Sequence, residues 1–133
     1  MSADEQPPLV TGGLPEAMGI ELLDADADVA RGRIEITDRT LQPYGIVHGG
    51  TFAALAETVA SAATHMHVQP KLAIGQSNNT SFIRPASSGH IEARARTRHR
   101  GRTTWVWDVE MTDDAGRLCA FSIVTVEVRE PRA

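Results

Sequence analysis

His48, Gly49 and Gly50 are followed, seven residues beyond the second glycine, by a lone carboxylate, Glu57. From Gly49 to Thr64 the chain is almost wholly glycine, alanine and other small or apolar residues. An ionised carboxylate in such a setting is costly unless paired. No Lys or Arg stands three or four residues away to meet it on a helix. Glu57 therefore needs a partner from outside its own segment, as a structural carboxylate or as a reacting one. The two glycines add a second possibility. At a helix start they leave the first N–H groups unshielded where the helix dipole is positive, so an oxygen atom could approach. That is an oxyanion hole in outline; the plainer reading is a turn that needs glycine.

The elements that must hold these groups are legible from periodicity. After the Gly- and Pro-containing "LQPYGIVHGG", a helix is expected from about Gly50 to Met66. Phe52, Leu55, Ala56, Val59, Ala60 and Ala63 make it apolar on most sides, so it reads as an enclosed helix. Before it come a short helical turn near Pro15 and strands over Ile20 to Leu23 and Val29 to Thr37, with "DADAD" as the turn between them. After it come four strands, Ala73 to Ile83, Ile91 to Arg100, Thr103 to Thr112 and Arg117 to Val128. In "RTTWVWDVEM" Trp105, Trp107, Val109 and Met111 share one face, a period of two, and "TDDAG" supplies the following hairpin turn. The tryptophans are assigned to packing. One enclosed helix followed by an antiparallel meander predicts an α+β fold, a sheet wrapped around a central helix.

Bulk properties narrow the function. A chain of 133 residues fits one compact domain. With 13 Lys+Arg against 17 Asp+Glu the net charge is -4, which argues against nucleic acid as a partner. Cys119 is the only cysteine, so no intrachain disulfide forms; inside "LCAFSIVTVEV" it reads as a small core residue, consistent with a reducing cytoplasm. No apolar run reaches the ~20 residues that span a bilayer, and the start lacks a signal-peptide pattern. Residues 1–13 read as a polar Pro/Gly-containing arm, expected to be disordered, and the domain as residues 14–130. His65 and His67, two apart with no Cys or acidic third ligand nearby, read as surface histidines and not as a metal site.

The spacing Gln42-Pro43-Tyr44-Gly45-x-x-His48-Gly49-Gly50, then Glu57, then Ser61, resembles the helix-carboxylate branch of hotdog-fold acyl-CoA thioesterases. That branch is the PaaI-like group that includes 4-hydroxybenzoyl-CoA thioesterase of the Glu type and dihydroxynaphthoyl-CoA hydrolases. The related phenylacetyl-CoA thioesterases differ in placing Asp where this chain has Glu57. The similarity runs from about Leu14 to Arg129 and takes in "NNTSFIRPASSG" and "HRGRTTWVWDVEMTDDAGRL". The resemblance implies a hotdog fold and hydrolysis of an aromatic or medium-sized acyl-CoA to free acid and CoA. It implies Glu57 as nucleophile or general base, the Gly49 N–H as oxyanion donor, and Gln42 and His48 as supports at the thioester end. Ser61 would orient a water or the carboxylate. No metal or redox cofactor is expected; coenzyme A is part of the substrate.

In "ARARTRHRGR" the residues Arg94, Arg96, Arg98, Arg100 and Arg102 share one parity, so a regular strand puts the first four on one face. Arg94 to Arg98 read as a solvated face with Asp108 and Glu110 as cross-strand neighbours. Arg100 and Arg102 flank Gly101 at a turn, where guanidinium groups could reach the phosphates of CoA. Thr103 and Arg84 are further candidates for the same contact.

Two other classes fit part of this pattern. A hotdog hydratase or dehydratase would bring a catalytic Asp/His or Glu/His pair, whereas His48 here precedes the glycines. A non-catalytic acyl-CoA-binding module has no use for a desolvated glutamate. Helix arithmetic adds an expectation about assembly. Gly49 and Glu57, eight residues apart, lie roughly 12 Å apart along a helix axis, too far to serve one carbonyl group. A homodimer at minimum, with sites shared between subunits, is expected, and the resemblance extends this to a tetramer of two dimers.

Overall fold

The computed structural model describes residues 12–132, so most of the expected N-terminal arm lies outside the described residues. A short helix α1, Gly13–Met18, opens at Gly13, inside the stretch expected to be an arm. Strands β1 (Ile20–Ala25) and β2 (Val29–Glu35) follow, then a 3-10 turn at Asp38–Thr40. The long helix α2 spans Gly49–Val68 and is succeeded by β3 (Leu72–Phe82), β4 (His90–Arg100), β5 (Thr104–Thr112) and β6 (Leu118–Arg129). The six strands form one antiparallel sheet in the order β1-β2-β4-β5-β6-β3.

The alternation read from the sequence positions the core. Trp105, Trp107, Val109 and Met111 of β5 are buried, as are Val124 and Val126 of β6, and they face Leu55, Ala56, Val59, Ala60 and Ala63 of α2. Each large aliphatic side chain enclosed in this way contributes about 1.5–3 kcal/mol. One polar chain crosses the layer: Trp107 Nε1 donates to Thr64 Oγ1 at 2.9 Å, and Thr64 Oγ1 donates to the Ala60 carbonyl at 2.8 Å. Cys119 is fully buried, and that burial pushes its thiol above the usual value. Among the described residues no helix is long and apolar enough to cross a membrane.

Two expectations are corrected. In the single chain α2 is not enclosed on most sides. Its sheet-facing side is buried, while Ala53, Ala54, Thr58, Ser61 and Ala62 are half-buried and Glu57 and His65 are exposed. Small residues occur both where a helix is covered and where its uncovered face is kept slim. The arginine parity also fails, because β4 shifts register between Thr97 and His99. Arg94 and Arg96 lie opposite Glu110 and Asp108 as expected, but Arg100 lies opposite the inward-facing Trp105. One extra residue, Arg98, reverses the faces.

Candidate active site

The start of α2 is tied down before it begins. The Thr40 carbonyl accepts from the His48 N–H at 2.8 Å and from Thr51 Oγ1 at 3.0 Å, which anchors the helix to the 3-10 turn. Between these points Leu41 bridges Val47, and the loop turns at Gln42–Gly45, where the Gly45 N–H donates to the Gln42 carbonyl at 2.9 Å. The Gln42 side-chain oxygen accepts from the Tyr44 N–H, leaving its NH2 group free of that turn. His48 is the N-cap: its Nδ1 accepts from the Gly50 N–H at 2.8 Å. This corrects the expectation that both glycine N–H groups lie open. The Gly50 N–H is taken, and the Gly49 N–H has no hydrogen-bond acceptor among the described residues. A pocket of about 610 Å³ opens here, lined by Gln42, His48, Gly49, Phe52, Phe82 and Arg84 among others.

Glu57 belongs to a different hollow. Glu57, Ser61 and His65 recur at four-residue intervals and line a groove of about 450 Å³ with Pro15 of α1 and Ala73, Ile74 and Gly75 of β3. Glu57 is exposed here, not desolvated as its apolar neighbours in the sequence suggest. Its carboxylate lies over Gly75, where an added Cβ would sit 2.7 Å from Oε2. Asn78 Nδ2 donates to Glu57 Oε1 at 3.4 Å. Ser61 Oγ is buried at the groove wall with no hydrogen-bond partner, so within this chain it does not orient the carboxylate.

One chain therefore carries two half-sites, one at Gly49 beside Phe82 and one at Glu57 beside Gly75, near the two ends of strand β3. The arginine candidates are divided as well. Arg84 lines the Gly49 pocket. Arg100, Gly101, Arg102 and Thr103 sit at the end of the sheet where Trp105 stacks on His67, near the C-terminus of α2. Arg100 pairs with Asp28 at 3.6 Å, the Gly101 N–H donates to the Thr104 carbonyl at 2.8 Å, and the Thr103 carbonyl accepts from the Val128 N–H at 2.8 Å. Arg102 is exposed and has no ion pair among the described residues. No group of three or more His, Cys, Asp or Glu suited to a metal ion occurs among them. Sequence reasoning missed Gly75, Asn78 and the groove contact of His65.

Comparison with known proteins identifies the family. The Thioesterase superfamily model matches residues 44–120, from the turn before His48 through most of the sheet. The chain is 31% identical to a 1,4-dihydroxy-2-naphthoyl-CoA hydrolase of Listeria monocytogenes, over 90% of this chain and 98% of that protein. It is 32% identical to the proofreading thioesterase EntH of Cronobacter turicensis, over 88% of this chain and 86% of that one. A thioesterase crystal structure from Pseudomonas aeruginosa superposes with a TM-score of 0.83 at 31% identity, covering 86% of this chain and 84% of its own. A six-stranded antiparallel sheet around one long helix, the helix-start and carboxylate spacing, and these relatives together place the chain in the thioesterase superfamily as a hotdog-fold thioester hydrolase.

Proposed function

We propose that this thioesterase hydrolyses an acyl-CoA with an aromatic or medium-sized acyl group, in a site built from two subunits. The observation that carries the proposal is the position of the two half-sites along β3. That strand is a sheet edge of 11 residues with Ile74 40% and Phe82 57% exposed, and among the described residues its outer side has no partner strand. If two copies pair antiparallel through this edge, with the two-fold axis at Asn79, the extra residue Gln76 brings Gly75 of one chain opposite Phe82 of the other. The carboxylate of Glu57 then lies beside the free N–H of Gly49 from the second subunit. A homodimer is the minimum, and a tetramer forms from two dimers.

In that arrangement the thioester oxygen accepts from the Gly49 N–H at the positive end of α2. Glu57 takes a proton from water as the water oxygen bonds to the carbonyl carbon, or attacks that carbon itself to give a mixed anhydride that water then opens. On the first route the C–S bond then breaks and CoA leaves as the thiol with the proton Glu57 took; on the second the C–S bond breaks as the anhydride forms, and the thiolate is protonated by the water that opens the anhydride, so both release the acid and CoA. Gln42 and His48 support the thioester end, His48 by holding the glycine turn. Ser61 lines the groove, and rotation about its Cα–Cβ bond turns its buried, unpartnered hydroxyl toward a water there. Pro15, Ala62 and Ile74 supply its apolar walls, while Arg84 and the Arg100, Gly101, Arg102 and Thr103 turn contact the CoA phosphates. The expected localisation is cytoplasmic, and no metal or redox group takes part.

Thiol release from a panel of acyl-CoA thioesters, followed with a thiol reagent, tests this directly. Wild-type protein should turn over at least one aromatic or medium-chain member. Glu57→Gln should lose several orders of magnitude in kcat while ligand binding survives. Retention of more than about a tenth of wild-type turnover in Glu57→Gln, or no turnover of any member, overturns the reading.

A further inference from the structure

Strand β3 is irregular where it passes Glu57. Its register against β6 shifts between Gly75 and Ser77, so Gly75 lies opposite Val126 and Asn78 opposite Val124, both buried on the helix side of the sheet. In a regular strand residues 75 and 78 would point to opposite faces; the extra residue, Gln76, puts both toward α2. Gly75 leaves room for the Glu57 carboxylate. Asn78 reaches the same carboxylate and also donates through Nδ2 to the Ala53 carbonyl, one turn earlier in α2, at 2.9 Å.

The amide of Asn78 has only one orientation that satisfies its neighbours. The Ala53 carbonyl and the Glu57 carboxylate only accept, so the NH2 faces α2 and the oxygen faces away. That oxygen accepts from Thr80 Oγ1 at 2.6 Å. Thr80 has one hydroxyl proton, spent on Asn78, so in its 2.7 Å contact with Ser122 Oγ the serine donates. Ser122 is buried in β6. A directed chain thus runs from Ser122 through Thr80 and Asn78 to the helix and to Glu57.

We propose that Asn78 is a positioning residue for Glu57, its amide locked by Thr80 and Ser122 so that its NH2 group holds the carboxylate over Gly75. The proposal rests on the reading above, in which Glu57 carries the chemistry. It explains a gap in that reading, because an exposed glutamate with three rotatable bonds needs something to fix it, and Ser61 does not. Asn78 touches no reacting atom; it acts through Glu57.

Four variants test the proposal: Asn78→Asp, Thr80→Val, Thr80→Ser and Glu57→Gln, each assayed for kcat and KM across pH with melting temperature as a folding control. Asn78→Asp is isosteric but turns the donor into a second carboxylate, which disfavours the ionised form of its neighbour. The acid limb of its kcat/KM profile should move up by about one pH unit, and kcat should fall about 100-fold with KM changed less than about threefold. Thr80→Val frees the amide to rotate and should cost about tenfold in kcat, while Thr80→Ser, which restores the hydroxyl, should recover most of it. An unmoved acid limb in Asn78→Asp overturns the proposal, as does equal loss in Thr80→Val and Thr80→Ser. If these variants behave like wild type while Glu57→Gln is inactive, only the role of Asn78 falls. If Glu57→Gln stays active, the functional reading falls and takes this one with it.

Discussion

Arg100 and Arg102 stand two residues apart, yet they offer a phosphate different terms. Arg100 is engaged with Asp28 at 3.6 Å, so an incoming anion has to compete with an internal carboxylate. Arg102 gives up no ion pair of the described residues. A guanidinium in that state offers its donor fork at little cost beyond its own ordering. Arg102→Ala is therefore expected to raise KM for CoA thioesters more than it lowers kcat, with little effect on a pantetheine thioester that lacks the nucleotide. Steady-state kinetics on the two substrates checks this, and equal losses on both would assign Arg102 to folding. Glu57 shows the limit of reading a single residue from its neighbours. Its small apolar flanks are compatible with burial and with a slim face left open for something else, and composition does not separate the two.

In the hairpin joining β5 to β6 one side chain adds three hydrogen bonds to the two of the turn's backbone, Asp113 N–H to the Arg117 carbonyl and Gly116 N–H to the Asp113 carbonyl. Asp113 Oδ1 accepts from the Ala115 N–H at 3.0 Å and the Arg117 N–H at 2.9 Å, and Oδ2 accepts from Arg117 Nε at 2.9 Å. The Arg117 N–H, first among these donors, holds the Asp113 carboxyl below its usual value of 3.8. A carboxyl with a depressed folded-state value adds stability above the usual value and loses it as pH falls through the lower, folded one. Asp113→Asn should thus melt below wild type at neutral pH, and the gap should close as pH drops below about 3.8. Thermal unfolding across pH measures it, and a constant gap would show that shape, not charge, makes the turn. This turn was legible in "TDDAG", as were all six strands and the long helix, because residues of the right type recur at the right period. The bulges at Gln76 and Arg98 were not. Nothing in Gln76 or Arg98 announces an inserted residue, yet one reverses the face of Asn78 and the other that of Arg100. The free N–H at Gly49 was legible from the two glycines; that His48 would claim the neighbouring one was not.

Two half-sites near opposite ends of one edge strand make the chain incomplete by itself. A complementation experiment tests the sharing. Gly49→Pro removes the free N–H, and it is tolerable because His48 already has the extended backbone that precedes proline, with φ -66 and ψ 138. The new ring presses on Phe82, an exposed side chain with space to swing aside. Glu57→Gln removes the carboxylate, and each variant alone should be inactive. Mixed in one cell in equal amounts, they should form heterodimers in which one site carries both lesions and the other none, restoring about a quarter of wild-type turnover. Confirmed heterodimers with no activity would place each site within one subunit.

The uncovered edge of β3 has a consequence for the life of the chain before it meets a second copy. An 11-residue strand whose outer edge is unpaired among the described residues and which carries the exposed Leu72, Ile74 and Phe82 is a template for indiscriminate strand addition, and hence for aggregation of newly made protein. Pairing with a second copy in the proposed register covers that template in the same step that assembles the site. Substitutions at positions of this edge outside the site, such as Leu72 and Ser77, should then reveal themselves first as poor solubility and low yield, with purified dimeric survivors close to normal in specific activity. Selection for a clean fold and selection for turnover act here on one strand.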